Sequence, residues 1–382
     1  MKKIVIVTGT RADYGIYRPV AKELVKDGWN VSFLVSGMHL VTKYGYTLNL
    51  IEDDGFSVIR KVDSLFLENT RENMARTTAI ELNEFTVTLG DEMPDFVLLL
   101  GDRGEMLAAA VACLYLGIKS AHLHGGEVSG TVDESIRHAI SKLSNVHLVA
   151  TKGSRKRLIK MGEEPWRVKV VGAPRIDSIL NDELPDFYQV TQKYNLMIKQ
   201  KEYVLQLFHP VVTEYNDIKR QVDNLIDSVK NLEYPIVCIL PNADAGGDLI
   251  RKAYQAMELT NIYFITNFEP DEYLIVLKNA KILIGNSSSG IIEAASYGIP
   301  VVNIGSRQIG RERSDNIIDT VANTSEIRVA IKEAITISNL TQTRPIVNVY
   351  GDGNSSKRIM KILNDIIREE NDEKWLKKGI TY

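Results

Sequence analysis

Two groups of residues in this chain have the types and spacing to do chemistry. The first is the stretch 285–300, GNSSSGIIEAASYGIP, which follows the apolar run Ile282-Leu283-Ile284. Its Asn, Ser and Gly residues are those that cap helices and permit tight turns. A buried strand, a small-residue turn and a helix start together leave backbone N–H groups at the positive end of a helix dipole, which favours a phosphate. The hydroxyls of Ser287 and Ser288 would add donors, and Glu293, about one turn on, could accept ribose hydroxyls. An ordinary Ser-capped helix would use the same residues.

The second group is ionisable and lies in the first half. Asp102, in Gly101-Asp102-Arg103, follows the very apolar run 96–100 and is either a helix N-cap or an acid–base group at a strand end. In His122-Leu123-His124-Gly125-Gly126-Glu127, strand alternation puts both histidines on one face, and the glycines allow a sharp bend. His-x-His could ligate a metal, with Glu127 or Asp133 adding oxygen, but nothing fixes a third ligand and no metal is expected. Asp133 and Arg137 are i,i+4, as are Glu134 and His138; helix capping by Asp133 and a surface ion pair is the plainer reading.

Further candidates sit at other strand ends. Residues 8–15, TGTRADYG, lack the dinucleotide glycine spacing, but Arg11 could reach a phosphate or pair with a surface carboxylate. His209 ends a strand of the second half, and Asn242 lies in PNADAG, which ends the next. Arg307, Arg311 and Arg313 follow the run 301–304 and suit a diphosphate or a solvated basic loop.

These residues must be positioned by alternating strands and helices. Strands are expected at 4–7, 31–35, 58–62, 96–100, 118–123, 146–150 and 168–171, with helices at 14–26, 71–89, 104–116, 134–143 and 154–160. The pattern weakens over 180–201 and resumes with strands at 203–208, 236–240, 262–265, 282–284 and 301–304. Helices there are expected at 217–230, 248–257, 271–279, 289–297 and 325–337. Such alternation implies an α/β fold with parallel sheets covered on both faces. At 382 residues the chain is too long for one ordinary core. The expected domains are 1–180 and 190–354, with a helix in 355–382 packing back on the first and a ligand cleft between the two.

Composition bounds the partners. Hydrophobic content of 44% and charged content of 25% are those of a soluble globular protein. A net charge of −3 offers no electrostatic case for nucleic acid. Cys113 and Cys238 lie in apolar runs and read as buried thiols in a reducing cytoplasm. The apolar start is too short for a signal peptide, and no run is long enough to span a membrane.

Taken in order, TGTRADYG, GDR, HLHGGE, DESIRHAISKL, HPV, PNADAG, GNSSSG and RQIGR closely resemble the hydrolysing UDP-N-acetylglucosamine 2-epimerases, from residue 1 to about 365. The resemblance implies a glycosyltransferase-B-type fold of two Rossmann-like domains, a UDP-sugar substrate, no cofactor and a homodimer. It implies that Ser287 and Ser288 hold the diphosphate, Glu293 the ribose, and Asn242 the uridine side. Arg11, Arg103 and Arg307 would bind substrate, with His209 at the sugar–diphosphate region among the catalytic groups. Asp102, Asp133 and the HLHGGE segment would supply acid–base groups. Many relatives carry a Glu where this chain has His124, others a His, which leaves the roles of His124 and Glu127 open.

The implied reaction turns UDP-N-acetylglucosamine and water into UDP and N-acetylmannosamine, within the route to sialic acids. Loss of UDP makes the C2 hydrogen removable, a glycal forms, and water adds at C1 as a proton returns to C2 on the other face. Three alternatives stand beside it: a sibling acting on a UDP-linked 2,4-diacetamido-2,4,6-trideoxyglucose, a non-hydrolysing epimerase, and a nucleotide-sugar binding protein without turnover. A glycosyltransferase is also compatible with the fold alone.

Overall fold

Short runs of aliphatic residues build two parallel sheets. The computed structural model describes residues 2–42, 46–66, 70–128, 132–241, 246–257, 261–340, 346–369 and 373–381, without the side chains of 71, 132, 133, 212 and 213. The chain divides into two units, Met1–Ser178 with Tyr350–Tyr382, and Ile179–Val349.

The first unit's strands are β1 (Lys3–Thr8), β2 (Asn30–Ser36), β3 (Ser57–Val62), β4 (Phe96–Leu100), β5 (Ser120–Leu123), β6 (Val146–Val149) and β7 (Val168–Val170). They pair in the order β3-β2-β1-β4-β5-β6-β7. The order reverses at β1 and β4, which are parallel neighbours with Ile4 opposite Phe96. Chains leaving two such strands diverge, so a crevice opens at their carboxyl ends. Here those ends are Gly9-Thr10 and Gly101-Asp102-Arg103.

Both faces of this sheet are covered. Helices Arg11–Lys26 and Ser355–Arg368 share one core, through Tyr17, Val20 and Leu24 of the first and Ile359, Leu363 and Ile366 of the second. Helices Arg71–Glu92 and Gly104–Leu116 cover the other face, with Phe85, Leu89, Met106 and Cys113 buried together. The C-terminal return is fixed by polar groups as well. The Asp177 carboxylate accepts from the backbone N–H groups of Ser355 and Ser356 at 2.9 and 2.6 Å. The fully buried Arg167 donates to the carbonyls of Trp375 and Lys377, both at 2.8 Å.

The second unit holds β8 (Val204–Leu207), β9 (Ile236–Ile239), β10 (Ile262–Ile265), β11 (Ile282–Gly285), β12 (Val301–Ile304) and β13 (Ile317–Thr320), in the order β10-β9-β8-β11-β12-β13. Its reversal falls at β8 and β11, followed by His209 and by Asn286-Ser287-Ser288.

The structure differs from the sequence expectation at several places. The helix expected over 289–297 is a short α-helix, Ser288–Ile292, followed after Glu293 by the 3-10 turn Ala294–Tyr297. β13 is additional; its IIDT sequence is only partly buried and lacks the apolar run of a central strand. Helix Phe187–Lys193 lies in the stretch that reads as a weakly patterned connection. Both cysteines are buried and unpaired. No described helix is long and apolar enough to cross a membrane.

Candidate active site

The first unit gathers its ionisable groups around one arginine. β4 is buried throughout and is followed by Gly101, whose φ of +71° turns the chain toward Asp102. Arg103, not Asp102, occupies the N-cap of the next helix, and its Nε donates to Glu105 at 2.7 Å. Asp102 instead pairs with Arg137. The other terminal nitrogen of Arg137 donates to the Glu127 carbonyl at 2.8 Å. Arg137 is therefore no surface residue: it is buried, and one group ties Asp102 to the HLHGGE turn. Arg137, Ile140, Ser141 and Ser144 follow the i, i+3, i+4, i+7 spacing and are all buried. That periodicity was the available signal that Arg137 faces inward.

The two histidines separate. β5 ends at Leu123, and His124 lies beyond it with φ +60°, so strand alternation does not put it on a face with His122. His122 is fully buried, its Nε2 against the Gly101 carbonyl at 2.8 Å and its Nδ1 against Ser141 Oγ at 3.1 Å. Burial pushes it down to about 3, which keeps the ring neutral. With both nitrogens engaged, His122 is a structural group. His124 pairs through Nδ1 with Glu127 Oε1 at 2.6 Å, while its buried Nε2 has no hydrogen-bond partner among the described residues. A carboxylate accepting from Nδ1–H selects the tautomer whose Nε2 carries a lone pair. The arrangement is that of an oriented general base.

The other candidates of this unit lie on two helices. Arg11 is the exposed first residue of its helix, which Thr10 caps by accepting from Asp13 N at 3.2 Å. Asp133 lies in the first turn of helix Val132–Leu143, and its side chain is outside the described residues. Glu134 and His138 pair at 3.6 Å, as their spacing suggests. Among the described residues no three His, Cys, Asp or Glu side chains are grouped to hold a metal.

In the second unit, Asn286 organises the loops. Gly285 has φ +139°, and a Cβ there would come within 1.8 Å of the Leu207 carbonyl oxygen, so only glycine permits this approach of β11 to β8. The buried Asn286 side chain then accepts from His209 N at 2.7 Å and donates to the His209 carbonyl at 2.8 Å. Its own carbonyl accepts from Arg307 at 3.1 Å and from Gln308 Nε2 at 2.9 Å. One asparagine thus fixes the ends of β8, β11 and β12. Sequence reading missed it and Gln308, because both look like ordinary loop residues.

Ser287 caps the short helix, accepting from Ser289 N at 3.3 Å, and Ser288 is the first helical residue. Ser289 Oγ donates to Glu293 Oε2 at 2.5 Å and lies 2.5 Å from the Tyr273 hydroxyl. Arg313 bonds Asp319 at 2.6 Å and the Gln308 carbonyl at 3.1 Å, which makes it a brace of this loop. Asn242 lies outside the described residues.

A family model described as UDP-N-acetylglucosamine 2-epimerase matches residues 22–364. The chain belongs to the UDP-N-acetylglucosamine 2-epimerase family. It is 43% identical to the UDP-N,N'-diacetylbacillosamine 2-epimerase (hydrolyzing) of Legionella pneumophila, over 96% of each chain. It is 31% identical to the UDP-N-acetylglucosamine 2-epimerase of Neisseria meningitidis serogroup B, again over 96% of each. In fold it is similar to a crystal structure of the Neisseria meningitidis epimerase bound to UDP-GlcNAc. The TM-score is 0.78 at 20% identity, covering 95% of this chain and all of the other. Two parallel-sheet Rossmann-like domains of glycosyltransferase-B type are thus the fold of this epimerase family member.

Proposed function

We propose that this protein is a hydrolysing 2-epimerase that turns a UDP-linked 2-acetamido sugar and water into UDP and the free C2-inverted sugar. The observation that carries the reading is the His124–Glu127 pair, its Nε2 without a hydrogen-bond partner among the described residues, joined through Arg137 to Asp102. A C2 hydrogen with no adjacent carbonyl is not acidic, so departure of UDP must precede or accompany its removal. His124 Nε2 takes that proton, and Glu127 stabilises the imidazolium that results. Asp102, with Asp133, is assigned the proton returned to the opposite face of C2.

Leaving-group stabilisation falls to the second unit: Ser287 and Ser288 for the diphosphate, Glu293 for the ribose, and His209, Asn242 and Arg307 around them, with Arg11 and Arg103 from the first. Each 1.36 kcal/mol of selective stabilisation is tenfold in rate. The 43% relative supports a UDP-2,4-diacetamido-2,4,6-trideoxyglucose as substrate. UDP-N-acetylglucosamine is the second reading, supported by the meningococcal relative.

The test is turnover of each UDP-sugar in D₂O, followed by NMR. The expected products are UDP and an equal amount of free sugar, inverted at C2 and carrying deuterium there. A non-hydrolysing epimerase would give the UDP-linked epimer without net release of UDP, and a binding protein would give neither. Protium retained at C2 would falsify the elimination step.

A further inference from the structure

In the second unit, a chain of hydroxyls leads to Glu293 from outside the loop that carries it. Ser289 and Glu293 follow β11, whereas Tyr273 lies near the start of helix Pro270–Asn279. Ser289 holds Glu293 twice: its Oγ donates to Oε2 at 2.5 Å, and its carbonyl accepts from the Glu293 N–H at 2.9 Å. A serine hydroxyl has a single hydrogen, and here the carboxylate takes it. The Tyr273 hydroxyl, 2.5 Å from Ser289 Oγ, is therefore the donor in that contact. The chain runs from Tyr273 O–H to Ser289 Oγ and from Ser289 O–H to Glu293, and each bond polarises the next.

The two ends of this chain differ in how firmly the fold holds them. Helix Pro270–Asn279 opens with a capping box of Glu269 and Glu272. Glu272 also accepts from Lys193 Nζ and the Tyr194 hydroxyl, both at 2.6 Å. Val276 and Leu277 bury the helix in one core with Leu205 of β8 and Leu283 of β11. Glu293, by contrast, ends a helix of five residues, and a 3-10 turn begins at Ala294. A glutamate side chain at such a break has rotamer freedom to lose on binding a ligand. A tie to a well-anchored helix removes that freedom beforehand and lowers the cost of binding.

Resting on the function proposed above, in which Glu293 meets the ribose, we propose that Tyr273 is a positioning residue for nucleotide recognition. Through Ser289 it sets the Glu293 carboxylate for the vicinal hydroxyls of a ribose, and so makes the site selective for ribonucleotides over deoxyribonucleotides. A carboxylate accepts about four hydrogen bonds, so the one from Ser289 does not exhaust it. A nucleotide without the hydroxyls covers the carboxylate and offers it no donor, which is how a polar site rejects such an analogue. Ser287 caps its helix through the Ser289 backbone N–H, which side-chain substitution of Ser289 retains.

The test measures the affinity of UDP and of 2′,3′-dideoxy-UDP by calorimetry for wild type, Tyr273→Phe, Ser289→Ala and the double variant. Thermal unfolding reports the fold, and Tyr273→Phe decides the matter if Ser289→Ala does not fold. Wild type should prefer UDP by roughly tenfold or more. Each single variant should lose roughly three- to tenfold in UDP affinity and about nothing for the dideoxy compound. The double variant should lose no more than Ser289→Ala, because the two hydroxyls act in series. On the UDP-sugar that wild type turns over, Tyr273→Phe should raise KM and leave kcat unchanged, the mark of lost uniform binding. Equal losses on both nucleotides, no loss on UDP, additive losses, or a fall in kcat instead of a rise in KM would overturn the role of Tyr273. A wild type that binds both nucleotides equally would overturn it too, and would leave the epimerase reading to stand on turnover in D₂O. A wild type that binds neither nucleotide and turns over no UDP-sugar would overturn both.

Discussion

Arg137 holds Asp102 and Glu127 at once, one guanidinium nitrogen on the Asp102 carboxylate and another donating to the Glu127 carbonyl at 2.8 Å. Asp102 is thus positioned by a buried cation on a helix, not by the loop it sits on. Asp102→Asn keeps the shape but cannot exchange the proton. It should lower kcat by roughly 10²–10⁴ while UDP affinity stays near wild type. Steady-state rates beside calorimetry check this; near-normal kcat would reduce Asp102 to a partner for Arg137. Arg137→Lys keeps the charge without the fork, and should lose rate as well.

The residues legible from sequence were those whose type announces them at a strand end: Asp102, the HLHGGE turn, His209 and the serines after β11. Central strands were equally legible, since β4 and β11 are unbroken apolar runs, whereas β13 lacks one and was not expected. What escaped depends on contacts distant along the chain. Asn286 acquires its role only when β8 and β11 become neighbours, because its partner His209 is 77 residues away. Arg137 looked like half of a local surface pair until the fold brought Asp102, 35 residues earlier, against it. His124 was misread by treating strand alternation as continuing one residue too far, past the left-handed turn that ends β5.

Glu127 and His124 can be separated by the size of their effects. If His124 moves the proton and Glu127 orients it, His124→Gln should cost more kcat than Glu127→Gln, whose amide oxygen can still accept from Nδ1–H. The expected loss is on the order of 10²-fold or more for His124→Gln. Rates measured at saturating UDP-sugar decide it; the reverse order would assign proton transfer to Glu127.

Asn286→Ala leaves the His209 N–H and carbonyl without their side-chain partner. It should cost about 1–3 kcal/mol in stability and weaken UDP binding, because the loop after β8 loses its side-chain tie to the loop after β11, while the bonds from Arg307 and Gln308 to the backbone carbonyl of residue 286 remain. Gly285→Ala should be worse. Its positive φ and the Leu207 carbonyl in the way leave a Cβ no space, so a loss above about 3 kcal/mol or failure to fold is expected. Denaturant melts of the two variants measure the difference, and a Gly285→Ala protein as stable as wild type would contradict the packing of β11 on β8.

Glu81 makes stability depend on pH with a definite sign. Burial first, and Glu105 second, raise it from 4.5 when unfolded to about 7 when folded. Between these values the folded state binds more protons than the unfolded one, so this group's stabilising contribution is complete below about 4.5 and lost as pH rises toward 7. Glu81→Gln keeps the bond to Ser64 and removes the titration. Relative to wild type, the variant should therefore gain stability steadily from pH 5 to pH 7 and hold that gain at pH 8, by on the order of 1–3 kcal/mol. Urea melts of both proteins across that range provide the measurement. A difference that is flat with pH would show that Glu81 is ionised as readily in the fold as outside it, and one that shrinks with rising pH would reverse the assigned direction. Asp13, pushed up to about 6 mainly by burial, gives wild type and variant the same additional slope, so it cancels from the comparison provided Glu81 does not alter it.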